Sequence, residues 1–230
     1  MRAAAGMLIV AFGVMSTAVR AQDHGQAGGA HAKGAQHPDH MEHSFADVER
    51  YSKVFDDPAR DAWQMPDRVI AALGLRPGEV VADIGAGTGY FTVRLAKSAV
   101  APKVYAIDVE KSMVEHIRQR ATREALRNVV AVQSTSDRSN LPEPVDVVLI
   151  VDTFHHIPGR AAYFTALKKL MKPGARLAIV DFKKGSPEGP PEEFRFTAAQ
   201  ISAELAEAGF TLQTQHDFLP RQLFLIYSAS

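Results

Sequence analysis

The stretch "ADIGAGTGYF", residues 82–91, closes a short apolar run and places glycine at every second position, Gly85, Gly87 and Gly89. Glycine at that density marks a turn whose backbone takes left-handed angles or lies too close to something for a side chain to fit. After a strand and before an amphipathic stretch, such a turn opens a βαβ unit. The rest of the chain extends that frame. Apolar, strand-like runs at 80–84, 104–109, 129–132, 145–151 and 177–182 alternate with helical stretches at 90–98, 111–126 and 161–170. A last helix, 197–208, has Thr197 as its N-cap and Gly209 as its stop, and strands at 212–218 and 222–227 flank a Pro220 turn as an antiparallel pair. The pattern predicts an α/β fold: a doubly wound, seven-stranded, mainly parallel sheet with an antiparallel C-terminal strand, covered by helices on both faces. Such sheets bind ligands beyond the carboxyl ends of their strands. Upstream, Asp57 and Pro58 suit the N-cap and first position of a helix, and Pro66 opens another that stops at Gly74.

The 230 residues are 46% apolar and 23% charged, which suffices for one sizeable core. Formal net charge is zero and no basic stripe is present, so a nucleic-acid partner is not expected. The absence of cysteine excludes thiolate nucleophiles, cysteine zinc sites, disulfides and lipoprotein anchoring. Arg2, an apolar run from about residue 3 to 19, and Val19-Arg20-Ala21 together have the form of a signal peptide cleaved after Ala21. The run is short and rich in Ala and Gly for a membrane span, so no stable membrane insertion is expected after cleavage. Cleavage removes Arg2 and Arg20, leaving 24 basic against 26 acidic residues, a net of −2. The domain reading is residues 1–21 as signal, 22–44 as a His/Gly/Ala-rich disordered linker and 45–230 as the folded domain. The expected location is the periplasm, or the cytoplasm if translation starts at Met41. His24, His31, His37, His40 and His43, five of the nine histidines, lie in the linker. Clustered imidazoles bind copper, zinc or nickel, and a solvated linker with adventitious affinity is the plainer reading.

Two nucleotide signatures fail at the glycine turn. The dinucleotide fingerprint G-x-G-x-x-G needs glycine where Tyr90 stands, and a P-loop needs a Gly-Lys-Ser/Thr that does not follow. The spacing Asp83-x-Gly85-x-Gly87-x-Gly89 instead resembles motif I of class I S-adenosylmethionine-dependent methyltransferases. "VYAIDVE", "STSDRSNLPEPVDVVLI", "VDVVLIVDTFHHIPGR" and "LKKLMKPGARLAIVDF" extend the resemblance over about residues 48–227. The last differs from the family's "LKPGG" turn by Ala175. The resemblance implies a Rossmann-like methyltransferase fold and S-adenosylmethionine as cofactor. It assigns Asp83, Gly85, Ala86, Gly87 and Gly89 to the cofactor loop, with Asp83 toward the ammonium group. Asp108 accepts the ribose hydroxyls, Val109 and Met113 flank the adenine, and Asp137, four residues before Leu141-Pro142, takes the adenine amino group. Read without the family, the turn also suits a tight strand–helix connection, Asp108 a helix N-cap and Asp137 a polar loop.

Methyl transfer is an in-line displacement that requires alignment, and a general base where the acceptor starts protonated. His155 and His156 are the candidate bases, one of them alternatively packing or capping the next helix. Asp152 is expected to orient the cofactor's methionine part or the substrate. Tyr51, Arg60, Trp63 and Gln64 are candidates for the substrate side, and "KKGSPEGPPEEFRF" for a covering loop or a plain connector. The expected acceptor is a small molecule of the kind met by ubiquinone and menaquinone methyltransferases, by analogy alone. Arsenite is disfavoured because that family's chemistry uses cysteines. The competing reading is an exported ligand- or metal-binding protein on a methyltransferase fold without turnover.

Overall fold

The computed structural model describes residues 44–100 and 102–229. The signal-like segment, the histidine-rich segment and Met41 lie outside the described residues. The chain first forms α1 (Val48–Phe55), whose N-cap Asp47 accepts from the Arg50 amide, and a 3-10 turn at Pro58–Arg60 opened by Asp57. It continues through α2 (Asp61–Gln64) and α3 (Pro66–Ala72). Then come β1 (Val80–Ile84), α4 (Tyr90–Ala96), β2 (Lys103–Asp108), α5 (Lys111–Arg123) and β3 (Val129–Gln133). The second half comprises β4 (Val145–Val151), α6 (Arg160–Lys168), β5 (Met171–Phe182), α7 (Ala198–Glu207), β6 (Phe210–His216) and β7 (Gln222–Ala229).

The seven strands lie in the order β3-β2-β1-β4-β5-β7-β6. β1 to β5 pair in parallel, and β7 runs antiparallel between β5 and β6. This is the doubly wound sheet that the alternating pattern predicts and the Rossmann-like methyltransferase arrangement that the resemblance implies. Strand order reverses between β1 and β4, which opens a crevice above their carboxyl ends. Alternate residues of each central strand point to opposite faces. Ala82, Ile84, Ile107, Val148, Ile150 and Ile179 bury with Phe164 and Leu167 of α6 and Leu205 of α7. Val81, Val104, Val147, Leu149 and Val180 bury with Val69, Phe91 and Leu95 on the other face. Burial on both sides is why these strands read as unbroken apolar runs. β3, at the edge, is only partly covered, and Val130 is exposed.

Among the strands, β5 and β6 depart most from their apolar runs. β5 starts six residues earlier than the apolar run, because Met171 pairs with Val145 before the register shifts around the Pro173-Gly174 turn. β6 ends at His216 and begins at Phe210, since pairing with β7 rather than side-chain apolarity defines it. Thr197 caps α7 as expected and completes a reciprocal capping box with Gln200, a device worth about 1 kcal/mol. Among the described residues no helix is long and apolar enough to cross a membrane.

Candidate active site

Four strands that meet at the crevice end in, or one residue before or after, an aspartate: Asp83 on β1, Asp108 on β2, Asp152 after β4 and Asp181 on β5. The glycine turn connects the first two. The amides of Gly85 and Ala86 both donate to the Ile107 carbonyl, at 2.8 and 3.0 Å, tying the loop to the end of β2. Gly85 sits at φ +73°, and a Cβ there would come within 2.5 Å of Thr153 Cγ2 and nearer still to its hydroxyl. The glycine is therefore required by the loop after β4 as well as by its own backbone angle. Asp108 closes the other side. Its Oδ2 accepts the Gly87 amide at 2.8 Å and its Oδ1 the Glu110 amide at 2.9 Å.

Burial raises the Asp108 carboxyl above its ordinary value, against the lowering effect of these two amides. Asp83 is more strongly affected. Burial pushes it up to about 6, the Thr92 hydroxyl that donates at 2.6 Å holds it down, and the Asp108 charge adds to the rise. A raised carboxyl keeps in the folded state a proton that the unfolded chain releases near pH 4. Its contribution to stability is lost as pH rises from about 4 to about 6, and the penalty persists above that. Asp83→Asn, which removes the buried charge without changing size, is therefore expected to stabilise the ligand-free protein at pH 7.5 by on the order of 1–3 kcal/mol. The gain should vanish at pH 4. Chemical denaturation at the two pH values measures it, and an equal effect at both would refute a charge origin.

At the far end of the crevice Asp152 adopts φ +51°, a left-handed angle uncommon outside glycine. Its amide donates to the Val180 carbonyl at 2.8 Å. Both carboxylate oxygens are occupied, Oδ2 by Gln64 Nε2 at 3.0 Å and Oδ1 by Gln222 Nε2 at 2.5 Å, with Arg60 at 3.6 Å. Burial, then the Asp181 charge, still raises this carboxyl to about 6 despite Arg60 and Gln64. Three residues on, in a 3-10 turn at Phe154–His156, His155 is buried with Nδ1 2.9 Å from both oxygens of Asp181. Asp181 also accepts the His155 amide at 3.3 Å and the Phe182 amide at 2.7 Å, which fixes the carboxylate against the imidazole. His156 is half-buried. Its ring packs edge-on to Phe45 at 5.2 Å and against His155 at 4.2 Å.

Three pieces of chain roof the crevice. Ser44 Oγ and the Phe45 amide each donate to Glu110 Oε1 at 2.9 Å, and Phe45 packs with Tyr51 and Phe55. Phe55 lies so close to Gly87 that a Cβ there would meet its ring at 3.2 Å. Next, α2 docks through Tyr90, whose hydroxyl donates to Asp61 and whose ring packs with the guanidinium groups of Arg60 at 4.3 Å and Arg94 at 3.9 Å. Tyr90 thus uses the position that a dinucleotide site gives to glycine to fasten the roof. The third piece is the loop after β5. Arg195 is buried and donates to the carbonyls of Pro190 and Ser186, both at 2.7 Å, which sets the loop's shape.

These elements enclose one cavity of about 1090 Å³. It is lined at one end by Asp83, Gly85, Ala86, Gly87, Asp108 and Val109, and at the other by Asp152, His155 and His156. That is just above the ~300–1,000 Å³ range for small-molecule sites, a volume with room for more than one small molecule. Thr88 also lines it, and its buried hydroxyl has no hydrogen-bond partner. A buried hydroxyl of that kind is a position for a ligand's polar group. Arg60, Trp63, Phe182, Pro190 and Pro191 also line the cavity. The proline- and glycine-rich loop is therefore a wall of the cavity rather than a plain connector.

Five expected contacts are not brought to the cavity. Asp137 is exposed and turned away, bonded to the Thr135 hydroxyl at 2.7 Å and to Arg138, because Thr135 and Arg138 bridge across a tight turn. Ser134, Thr135 and Ser136 take its place on the lining. Gly89, at φ +88°, caps the start of α4 and faces Ile117. Met113 is fully buried on the inner face of α5, which leaves the exposed Val109 as the apolar surface on that side. Tyr51 and Gln64 support rather than line the cavity: Tyr51 packs in the roof and Gln64 holds Asp152. Asp181 was not among the residues singled out in the sequence. Its signal was present, since "AIVDF" repeats the apolar-run-then-Asp form of "VVADI" and "VYAID".

A family profile described as "Methyltransferase domain" matches residues 75–218. The chain is 32% identical over 122 residues to 27-O-demethylrifamycin SV methyltransferase of Amycolatopsis mediterranei, covering 52% of this chain and 44% of that relative. It is 32% identical over 119 residues to a ubiquinone/menaquinone biosynthesis C-methyltransferase of Burkholderia vietnamiensis, covering 50% and 48%. The chain thus spans less than half the length of either curated relative. Among solved structures, an S-adenosylmethionine-dependent methyltransferase from Aquifex aeolicus superposes with a TM-score of 0.73 at 29% identity, covering 80% of this chain and 99% of that one. Magnesium protoporphyrin IX methyltransferase from Synechocystis, solved with bound S-adenosylmethionine, shares the fold at TM-score 0.59 and 22% identity, covering 83% of this chain and 87% of that one.

Proposed function

The chain belongs to the methyltransferase-domain family of S-adenosylmethionine-dependent enzymes, and from that premise we propose that residues 45–230 transfer the cofactor's methyl group to a small-molecule acceptor held between Trp63, Phe182 and His155. The observation that carries the reading is that one cavity has the glycine loop, Asp108 and His155 all on its walls. The bound cofactor supplies a sulfonium methyl that is already activated for displacement. The chain supplies placement. The loop leaves room for the ligand's backbone-hugging part, Thr88 and Asp83 offer polar groups to it, and Asp108 offers a carboxylate to the ribose hydroxyls. Val109 and the Ser134 to Ser136 segment border the region for the adenine.

At the acceptor end His155 is the proton acceptor in this reading, and His156 is a wall that packs on the roof. Asp152 has both oxygens engaged by glutamine amides, so it sets the field and fastens Gln64 and Gln222 rather than moving a proton. Aromatic walls and the largely apolar lining favour a flat apolar acceptor. The rifamycin and quinone methyltransferases among the relatives support a small acceptor of that kind.

Calorimetric titration of the full chain with S-adenosylmethionine tests the proposal. One-to-one binding in the micromolar range, roughly −8 kcal/mol, is expected, with no heat from NAD under the same conditions. A chain that binds NAD, or that gives no heat with S-adenosylmethionine, would overturn it.

A further inference from the structure

We propose that His155 and Asp181 form a base dyad that takes the proton of an aromatic hydroxyl, so that the acceptor is a phenol-type compound methylated on oxygen; the inference rests on the S-adenosylmethionine reading above. The geometry supplies each part. Asp181 faces His155 Nδ1 with both oxygens at 2.9 Å, which selects the tautomer carrying hydrogen on Nδ1 and leaves Nε2 as the basic nitrogen of a ring that lines the cavity. The carboxylate is itself locked by two backbone amides, so it cannot swing away when the imidazole gains charge. Asp181 acts only through His155 and is a positioning residue.

The charged groups around the ring are Asp181 from β5, Asp152 after β4 and Arg160 from α6, with the His156 ring beside it. Burial lowers the imidazole's affinity for a proton, but the two aspartates outweigh burial and Arg160, and the net direction is up. A stronger base suits a weakly acidic hydroxyl. The acidic groups at the strand ends disfavour an acceptor that arrives as an anion, so it enters neutral and loses its proton inside. An amine is the competing class. A cationic amine would need a free carboxylate, and Asp152 is engaged by Gln64, Gln222 and Arg60. In the transfer the O–H bond breaks and its proton goes to Nε2. The oxygen pair forms the new O–CH₃ bond, the S–CH₃ bond breaks, and its electron pair stays on sulfur as the neutral thioether S-adenosylhomocysteine.

The test uses the protein loaded with S-adenosylhomocysteine and 4-nitrophenol as a chromogenic probe, at a pH where the free phenol is mostly neutral. Trp63, the single tryptophan of the chain, lines the acceptor end and reports occupancy by quenching. The bound probe should show at least 5-fold more phenolate absorbance than the same probe in buffer. Asp181→Asn and His155→Gln should each lose that excess while S-adenosylhomocysteine affinity stays within about 3-fold and circular dichroism is unchanged. Binding of S-adenosylhomocysteine with no quenching, or with quenching and no phenolate excess, overturns the inference and leaves the cofactor reading standing. So does an excess that persists in both variants, or quenching by benzylamine but not by the phenol. No binding of S-adenosylhomocysteine overturns the cofactor reading and the dyad with it.

Discussion

Gly85→Val is expected to abolish measurable S-adenosylmethionine binding and to lower the melting temperature by about 10 °C. Two costs add. The backbone at φ +73° is strained for a β-branched residue, and the new side chain would occupy the space of Thr153. Together they amount to about 4 kcal/mol, and in a domain of this size 1 kcal/mol moves the midpoint by about 2–4 °C. Relief requires the glycine loop and the loop after β4 to separate, and these carry the two halves of the cavity. Gly89→Ala provides the contrast. Its neighbours stand at 3.6 Å or beyond, so only the backbone angle is strained and about 1 kcal/mol is expected. Thermal melts of the two variants separate close approach from backbone angle. Equal losses would contradict the packing argument.

Asp108→Ala is expected to weaken S-adenosylmethionine binding by about 100-fold, or about 3 kcal/mol. The side chain does more than meet a ribose. It accepts the Gly87 and Glu110 amides, and its loss leaves two donors without partners at the mouth of the cavity. The glycine loop and the turn into α5 then lose their common anchor. Asp108→Asn keeps one accepting oxygen and should fall between wild type and alanine. Calorimetry on the three proteins tests the order, and an alanine variant that binds like wild type would remove Asp108 from the site.

What could be read in the sequence follows from what is local. The strands β1 and β4 match their apolar runs at both ends, because burial on both faces keeps each run apolar but for one aspartate, Asp83 and Asp146. Asp83 and Asp108 were legible because each ends such a run beside a recognisable turn. Asp181 ends an equal run, yet its meaning depends on His155, 26 residues away, and on β4 and β5 being neighbours in the sheet. Asp137 shows the converse. Its spacing to Leu141 and Pro142 fits the family, but the bridge between Thr135 and Arg138 turns the side chain outward. The roof was least legible. Glu110 holds Ser44 and Phe45 from 65 residues or more along the chain, and Tyr90 reaches back to Asp61, contacts that no periodicity announces.

If one cavity holds cofactor and acceptor side by side above the strand ends, S-adenosylhomocysteine must seat within it. A crystal structure of the chain with S-adenosylhomocysteine tests it most directly. The expected result is the ribose hydroxyls on Asp108, the adenine between Val109 and the Ser134 to Ser136 segment, and the sulfur directed toward the space bounded by His155 and Trp63. A ligand seated elsewhere, or one whose sulfur faces away from His155, would contradict it.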